Sequence, residues 1–173
     1  HIVSGLVARE YGYHNVGFHM GSEVITVDFD GVLTQEQLFD IEMQANDAVL
    51  KDVPVTVSYP SREELEGTDY RSKKEIEGQV RLVTVEGYDR CACCGTHVSH
   101  TGEIRLIKIL GVQHYKGGVR ISMLCGERAF RDYMVKHSNI VGIAQLLSVK
   151  PEEAGDAVVR LKERSSRGLA ERM

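Results

Sequence analysis

Apolar residues recur at Ile2, Val3, Leu6 and Val7, the spacing of one helix face, before Gly12 and Gly17 break the run. From Glu23 the period changes. Ile25, Val27 and Phe29 alternate with Val24, Thr26 and Asp28 as in a half-buried strand, which Gly31 ends. Leu38, Ile41, Ala45, Ala48 and Val49 then line one face of a helix; Thr34 is placed as its N-cap and Gln37 as capping-box partner. Residues 53–60 and 80–87 predict strands on either side of a polar segment that contains a short helix or loop. Further on, residues 102–126 offer two strands joined by a turn at Lys116, Gly117 and Gly118. A helix is expected from Glu127 to about Leu147. Ser148 is expected to cap another with Pro151 in its first turn, acidic at its start and basic at its end. Strands first and helices last predict an α+β protein: an antiparallel sheet packed with helices, and a carboxy-terminal helical extension.

A chain of 173 residues allows one ordinary domain and an appendage. With 42% hydrophobic and 27% charged residues it is neither disordered nor a disulfide scaffold. No apolar run approaches the ~20 residues of a membrane span and no leader pattern is read, so a cytoplasmic location without membrane partners is expected. The formal net charge of -4 argues against coating nucleic acid by bulk electrostatics. Local contacts through the basic stretches 70–75 and 160–173 stay open beside their reading as solvated surface.

Chemistry concentrates at "DRCACCGTHVSHTGEI", residues 89–104. Three of the four cysteines and two histidines fall within ten positions there. That clustering suits a reduced compartment and a metal better than disulfides. Cys93 and His97 stand four apart, near enough to share an ion on a helical turn, or on a loop that curls through Gly95. A thiolate with an imidazole suits zinc. Two ligands do not complete a site, and His1, His14, His19, His100 and His114 are all candidates for the remainder. Cys91, Cys94 and Cys125 read as small hydrophobes.

"CCGTHVSHTGEI" resembles the C-x-x-x-H zinc motif of the alanyl-tRNA synthetase editing domain, usually written C-G-G-T-H with a T-G-E-I tail, which also occurs in free-standing editing proteins of the AlaX type. The resemblance extends through "HYKGGVRISMLCGERA" and back to "GFHMGSEVITVDFDG", covering residues 1 to about 130. It implies the fold of the threonyl/alanyl-tRNA synthetase second additional domain over 1–128. Residues 129–173 then form a helical extension or linker toward a further domain.

The family's other two ligands form an H-x-x-x-H pair on the first helix, and "HIVSGL" matches its second half. The resemblance therefore implies a Zn2+ held by His1, Cys93 and His97, with a fourth ligand expected upstream of this sequence, which opens without a methionine. It further places His19 in the family's glycine-containing pocket loop, where it is read as the group that contacts the substrate or its water, beside its reading as a loop histidine in solvent. Gly21, Ser22, Thr96 and Arg120 are read in substrate binding, Arg120 as a holder of phosphate or carboxylate beside an equal reading as a salt bridge on the strand's exterior. Departures from the family pattern are Cys94 for a common glycine, His100 for a frequent asparagine, and His19 where synthetase relatives tend to have glutamine. The implied reaction is hydrolysis of the aminoacyl ester of Ser-tRNA(Ala), or Gly-tRNA(Ala), at the acceptor end. The implied setting is either a free-standing editor or part of a full synthetase, whose ligase portion would bind ATP. A zinc or RNA-binding module without hydrolysis is the reading from another class.

Overall fold

The structure, a computed structural model, describes residues 1–72 and 74–170. Lys73 of the basic stretch 70–75, and positions 171–173 of the basic tail, lie outside the described residues. The elements to Cys125 are α1 (Ile2–Tyr11), β1 (Asn15–Met20), β2 (Ile25–Phe29), α2 (Gln35–Leu50), β3 (Val55–Ser58), α3 (Arg62–Glu66), β4 (Leu82–Val85), β5 (Asp89–Ala92), a 3-10 turn at Thr101–Ile104, β6 (Ile107–Tyr115) and β7 (Gly118–Cys125). Two long helices follow, α4 (Glu127–Leu147) and α5 (Ala154–Ala170), joined through a 3-10 turn at Pro151–Glu153. Among the described residues no helix is long and apolar enough to cross a membrane.

Two antiparallel sheets organise the first unit, His1–Ala129. The larger has the order β1-β2-β7-β6, and the smaller is the meander β3-β4-β5. The period-2 pattern sets the register: Val27 stands opposite Ile121 and Phe29 opposite Val119, so these core residues share one face. Against that face pack Leu6 and Val7 of α1 and Ile41, Ala45 and Ala48 of α2. The cap expected for α2 is present, with Gln37 N–H donating to Thr34 Oγ1 and Thr34 N–H to Gln37 Oε1. Between β6 and β7 the turn residues Lys116 and Gly117 have φ of 46° and 80°, the paired left-handed conformations of a tight hairpin turn, which glycine adopts without penalty. The second unit begins at Phe130 and its described residues, to Ala170, are mainly helical.

Two expectations need correction. His19 does not sit in a loop: it lies on β1, opposite Thr26, because Val16, Phe18 and Met20 alternate as a strand requires. Ser148 caps no helix. It takes a left-handed conformation (φ 54°) just after α4, and Lys150 precedes the Pro151 turn as its N-cap. Of the two geometries open for the cysteine cluster, the loop is the one formed: Asp89–Ala92 is strand β5, paired with β4, and the chain loops from Cys93 to His100.

Candidate metal centre

His1 immediately precedes α1, and the Gly5 N–H donates to its carbonyl, closing the helix's first turn. One turn along, Gly5 lies against β5. A Cβ there would run into the Tyr88 carbonyl and stand 2.8 Å from the Asp89 Cβ. Only a residue without a side chain permits this approach, and the approach carries the His1 ring to Asp89, Cys91 and Cys93.

The partner loop is fastened at both ends. Arg81, just before β4, donates from Nη1 to the carbonyls of Cys93 (2.7 Å) and Gly95 (3.0 Å). Downstream, Glu103 Oε1 accepts from the Ser99 N–H, the Ser99 hydroxyl and the His100 N–H, closing the turn that follows His97. Gly95 donates its N–H to Cys93 Sγ at 3.5 Å, so the chain does curl through Gly95. His97 Nε2 then lies 3.7 Å from that sulfur.

The ligating atoms of His1, Cys93 and His97 all lie within 4.8 Å of one another. The His1 and His97 rings are 4.8 Å apart between centroids. Among the described residues His97 Nδ1 is buried without a hydrogen-bond partner. A buried polar atom left without a partner costs free energy, and an imidazole in that position beside a thiolate fits a soft cation. Residues 92 positions apart thus form a group that could hold a metal ion. A second group, His1 with Asp89 and Cys91, has the same spacing.

The protonation preferences favour that reading at Cys93 and His97, whereas His1 is held protonated and would release its Nε2 proton on binding an ion. Burial alone would lower the His1 pKa, but hydrogen bonds to Asp89, Cys91 and Cys93 outweigh it and push it up to about 10. Burial would raise the Cys93 thiol, yet the Gly95 N–H and His1 hold it below its ordinary value. Burial and the charges of His1 and Arg81 lower His97. Thiolate and neutral imidazole, the forms that bind metals, are favoured at Cys93 and His97.

Other predicted residues take different places. His14, His100 and His114 are exposed, and His14 pairs with Asp30 at 2.9 Å. His19 packs beside Gly21, its Nε2 3.6 Å from where a Gly21 Cβ would stand. The carbonyls of Gly21 and Ser22 accept from Arg128 Nη2 at 3.2 and 2.8 Å, which ties that loop to the start of α4. Thr96 is exposed between Cys93 and His97. Arg120 grips Asp28 with Nε and Nη2 at 2.7 and 2.8 Å and lies 3.8 Å over the Tyr115 ring. Cys91 is buried and Cys125 half-buried, whereas Cys94 is exposed and does not act as a small core hydrophobe.

Sequence reasoning missed Arg71, Arg81, Asp89 and Arg128. Asp89 stands first in the quoted cluster, and its alternation with Cys91 was the available signal for a strand that turns both side chains to one face. The three arginines offer no local signal, because each acts on a segment distant in sequence.

An α+β domain of two antiparallel sheets, with a thiolate and two imidazoles converging where its first helix meets the smaller sheet, is the class that fold and site define. Residues 80–122 match the family described as threonyl and alanyl tRNA synthetase second additional domain. The chain is 31% identical to the alanyl-tRNA editing protein Aarsd1-A of Xenopus laevis, an alignment that covers 94% of this chain and 41% of that protein. It is 29% identical to Aarsd1 of Mus musculus over 94% of the chain and 40% of the relative. Alanine-tRNA ligase of Methanopyrus kandleri is 31% identical, over 94% of this chain and 19% of the ligase. The resemblance to the alanyl-tRNA editing domain therefore holds along nearly the whole chain, which spans about 40% of the length of these editing proteins.

Proposed function

We propose that the chain hydrolyses the ester joining a wrongly attached amino acid, serine first and glycine second, to the acceptor end of tRNA(Ala). The observation that carries this reading is the convergence of His1, Cys93 and His97, in a chain similar to proteins named for alanyl-tRNA editing. The chemical need is general. A pocket sized for alanine cannot strongly reject an isostere with one more hydroxyl, and glycine differs only by a methyl, worth about 1–3 kcal/mol. A second site that hydrogen-bonds the serine hydroxyl uses a group that alanine lacks.

In this reading residues 1–128 carry the reaction and 129–173 are a helical extension. His1, Cys93 and His97 hold a Zn2+, which when bound supplies positive charge to orient the ester carbonyl and the terminal ribose. His19 contacts the substrate or places its water. The loop at Gly21 and Ser22, fixed by Arg128, lines the amino acid pocket, and Thr96 faces the acceptor end. Arg120 already spends Nε and Nη2 on Asp28, so its contact to substrate would use the remaining Nη1. The reaction belongs with translation in the cytoplasm. Similarity to a ligase supports a second setting for the same chemistry, editing within a synthetase.

The test is deacylation of Ser-tRNA(Ala) beside Ala-tRNA(Ala). Serine release faster than alanine release by about 10,000-fold or more, the discrimination a hydroxyl-binding site provides, is the expected result. Equal rates would remove the editing role, and zinc binding with no hydrolysis of either ester would leave a zinc or RNA-binding module.

A further inference from the structure

Asp89 is the most enclosed carboxylate beside the candidate centre, its side chain only 1% exposed. Three donors meet it. Arg71 Nε reaches Oδ1 at 2.7 Å and Arg71 Nη2 reaches Oδ2 at 2.8 Å; His1 Nδ1 also lies 2.8 Å from Oδ2. Arg71 is itself fixed by backbone: its N–H donates to the Arg90 carbonyl, and its own carbonyl accepts from the Ala92 N–H. A helix terminus, a strand and an otherwise irregular segment are thereby tied to one carboxylate.

This arrangement decides between the two possible metal groups. The set of His1, Asp89 and Cys91 would use Asp89 as a ligand, but a planar guanidinium fork already occupies both of its oxygens. The set of His1, Cys93 and His97 leaves Asp89 free to act on His1. With Nδ1 engaged by the carboxylate, Nε2 is the nitrogen left for a metal. We infer that Asp89, clamped by Arg71, is a positioning residue of the metal centre that sets the orientation and tautomer of His1 and is not itself a ligand. The inference rests on the zinc reading of the preceding section.

A carboxylate behind a ligating histidine raises its basicity and limits its rotation, and losing such a partner typically weakens metal binding 10–100-fold. Arg71 contributes at one remove, by holding the carboxylate against rotation.

The two roles predict opposite effects at Arg71. If Asp89 positions His1, Arg71→Gln lets the carboxylate turn and weakens zinc binding several-fold. If Asp89 is a ligand, the same change frees its oxygens and tightens binding. The experiment is zinc affinity by chelator competition for the wild type, Asp89→Asn and Arg71→Gln, with the visible spectrum of each cobalt(II)-substituted form. Expected are a 10–100-fold loss for Asp89→Asn, a smaller loss for Arg71→Gln, and cobalt bands whose positions persist in both variants because the ligands are unchanged. Unaltered affinity in both variants, tighter binding in Arg71→Gln, or a change of cobalt coordination in Asp89→Asn would overturn the inference. Should Asp89→Asn fail to fold, Arg71→Gln decides alone, since Arg71 is a quarter exposed and easier to replace. A wild type that binds no zinc sinks the metal reading itself and this inference with it; a zinc-binding wild type with indifferent variants sinks only the inference.

Discussion

Glu103 shows how one exposed side chain serves the centre without touching it. Its carboxylate gathers three donors from Ser99 and His100, and these bonds hold its pKa below the ordinary value of 4.5. A carboxylate with a depressed pKa in the folded chain stabilises it fully above about pH 4.5 and loses that contribution as pH falls through the folded-state value. The turn after His97 is therefore predicted to loosen in acid. Amide-exchange protection at Ser99 and His100 should fall below about pH 4.5, and Glu103→Gln should show reduced protection already at pH 7. Protection independent of pH and of the substitution would remove Glu103 from this role. Arg81 has the complementary task, since its guanidinium holds the carbonyls of Cys93 and Gly95.

At the scale of elements, the junction of α1 with β5 brings the distant ligand candidates together. Gly5 permits it, so Gly5→Ala gains roughly 1 kcal/mol of helix propensity and loses more by forcing the helix from the Tyr88 carbonyl. The net expectation is a loss of about 1–3 kcal/mol, the usual cost of an overpacked contact, read by chemical denaturation. Metal affinity should fall with it, because His1 moves with the helix. A stability equal to the wild type would show that the junction yields without strain. The longer helices and most strands were legible in the sequence because each repeats an apolar period within a few residues; α2 carries its own cap in Thr34 and Gln37. Strand β1 was hidden by its setting. Its apolar residues Val16, Phe18 and Met20 are all exposed, and the glycines at 17 and 21 suggested a loop. At β5, the density of cysteines drew attention from the alternation of Asp89 and Cys91.

Across the whole molecule, the candidate site draws on His1, Arg71, Arg81, Asp89, Cys93 and His97. Only the Cys93–His97 spacing is local enough to be read as a pair from residues alone, and His1 entered through a likeness to a family motif. The arginines and Asp89 stayed hidden because a charge that fixes a backbone carbonyl or a buried carboxylate looks in sequence like any surface charge. The central proposal is that His1, Cys93 and His97, held in place by the others, bind a metal on which an editing reaction depends. Its most direct test is zinc content measured beside hydrolysis of Ser-tRNA(Ala), in the wild type and in Cys93→Ala. The account predicts one zinc per chain in the wild type, and joint loss of metal and serine-selective hydrolysis in the variant by more than the ~10–100-fold that losing only the hydrogen-bond partner of a ligand typically costs. Hydrolysis that survives the loss of zinc, or zinc that survives the loss of Cys93, would contradict it.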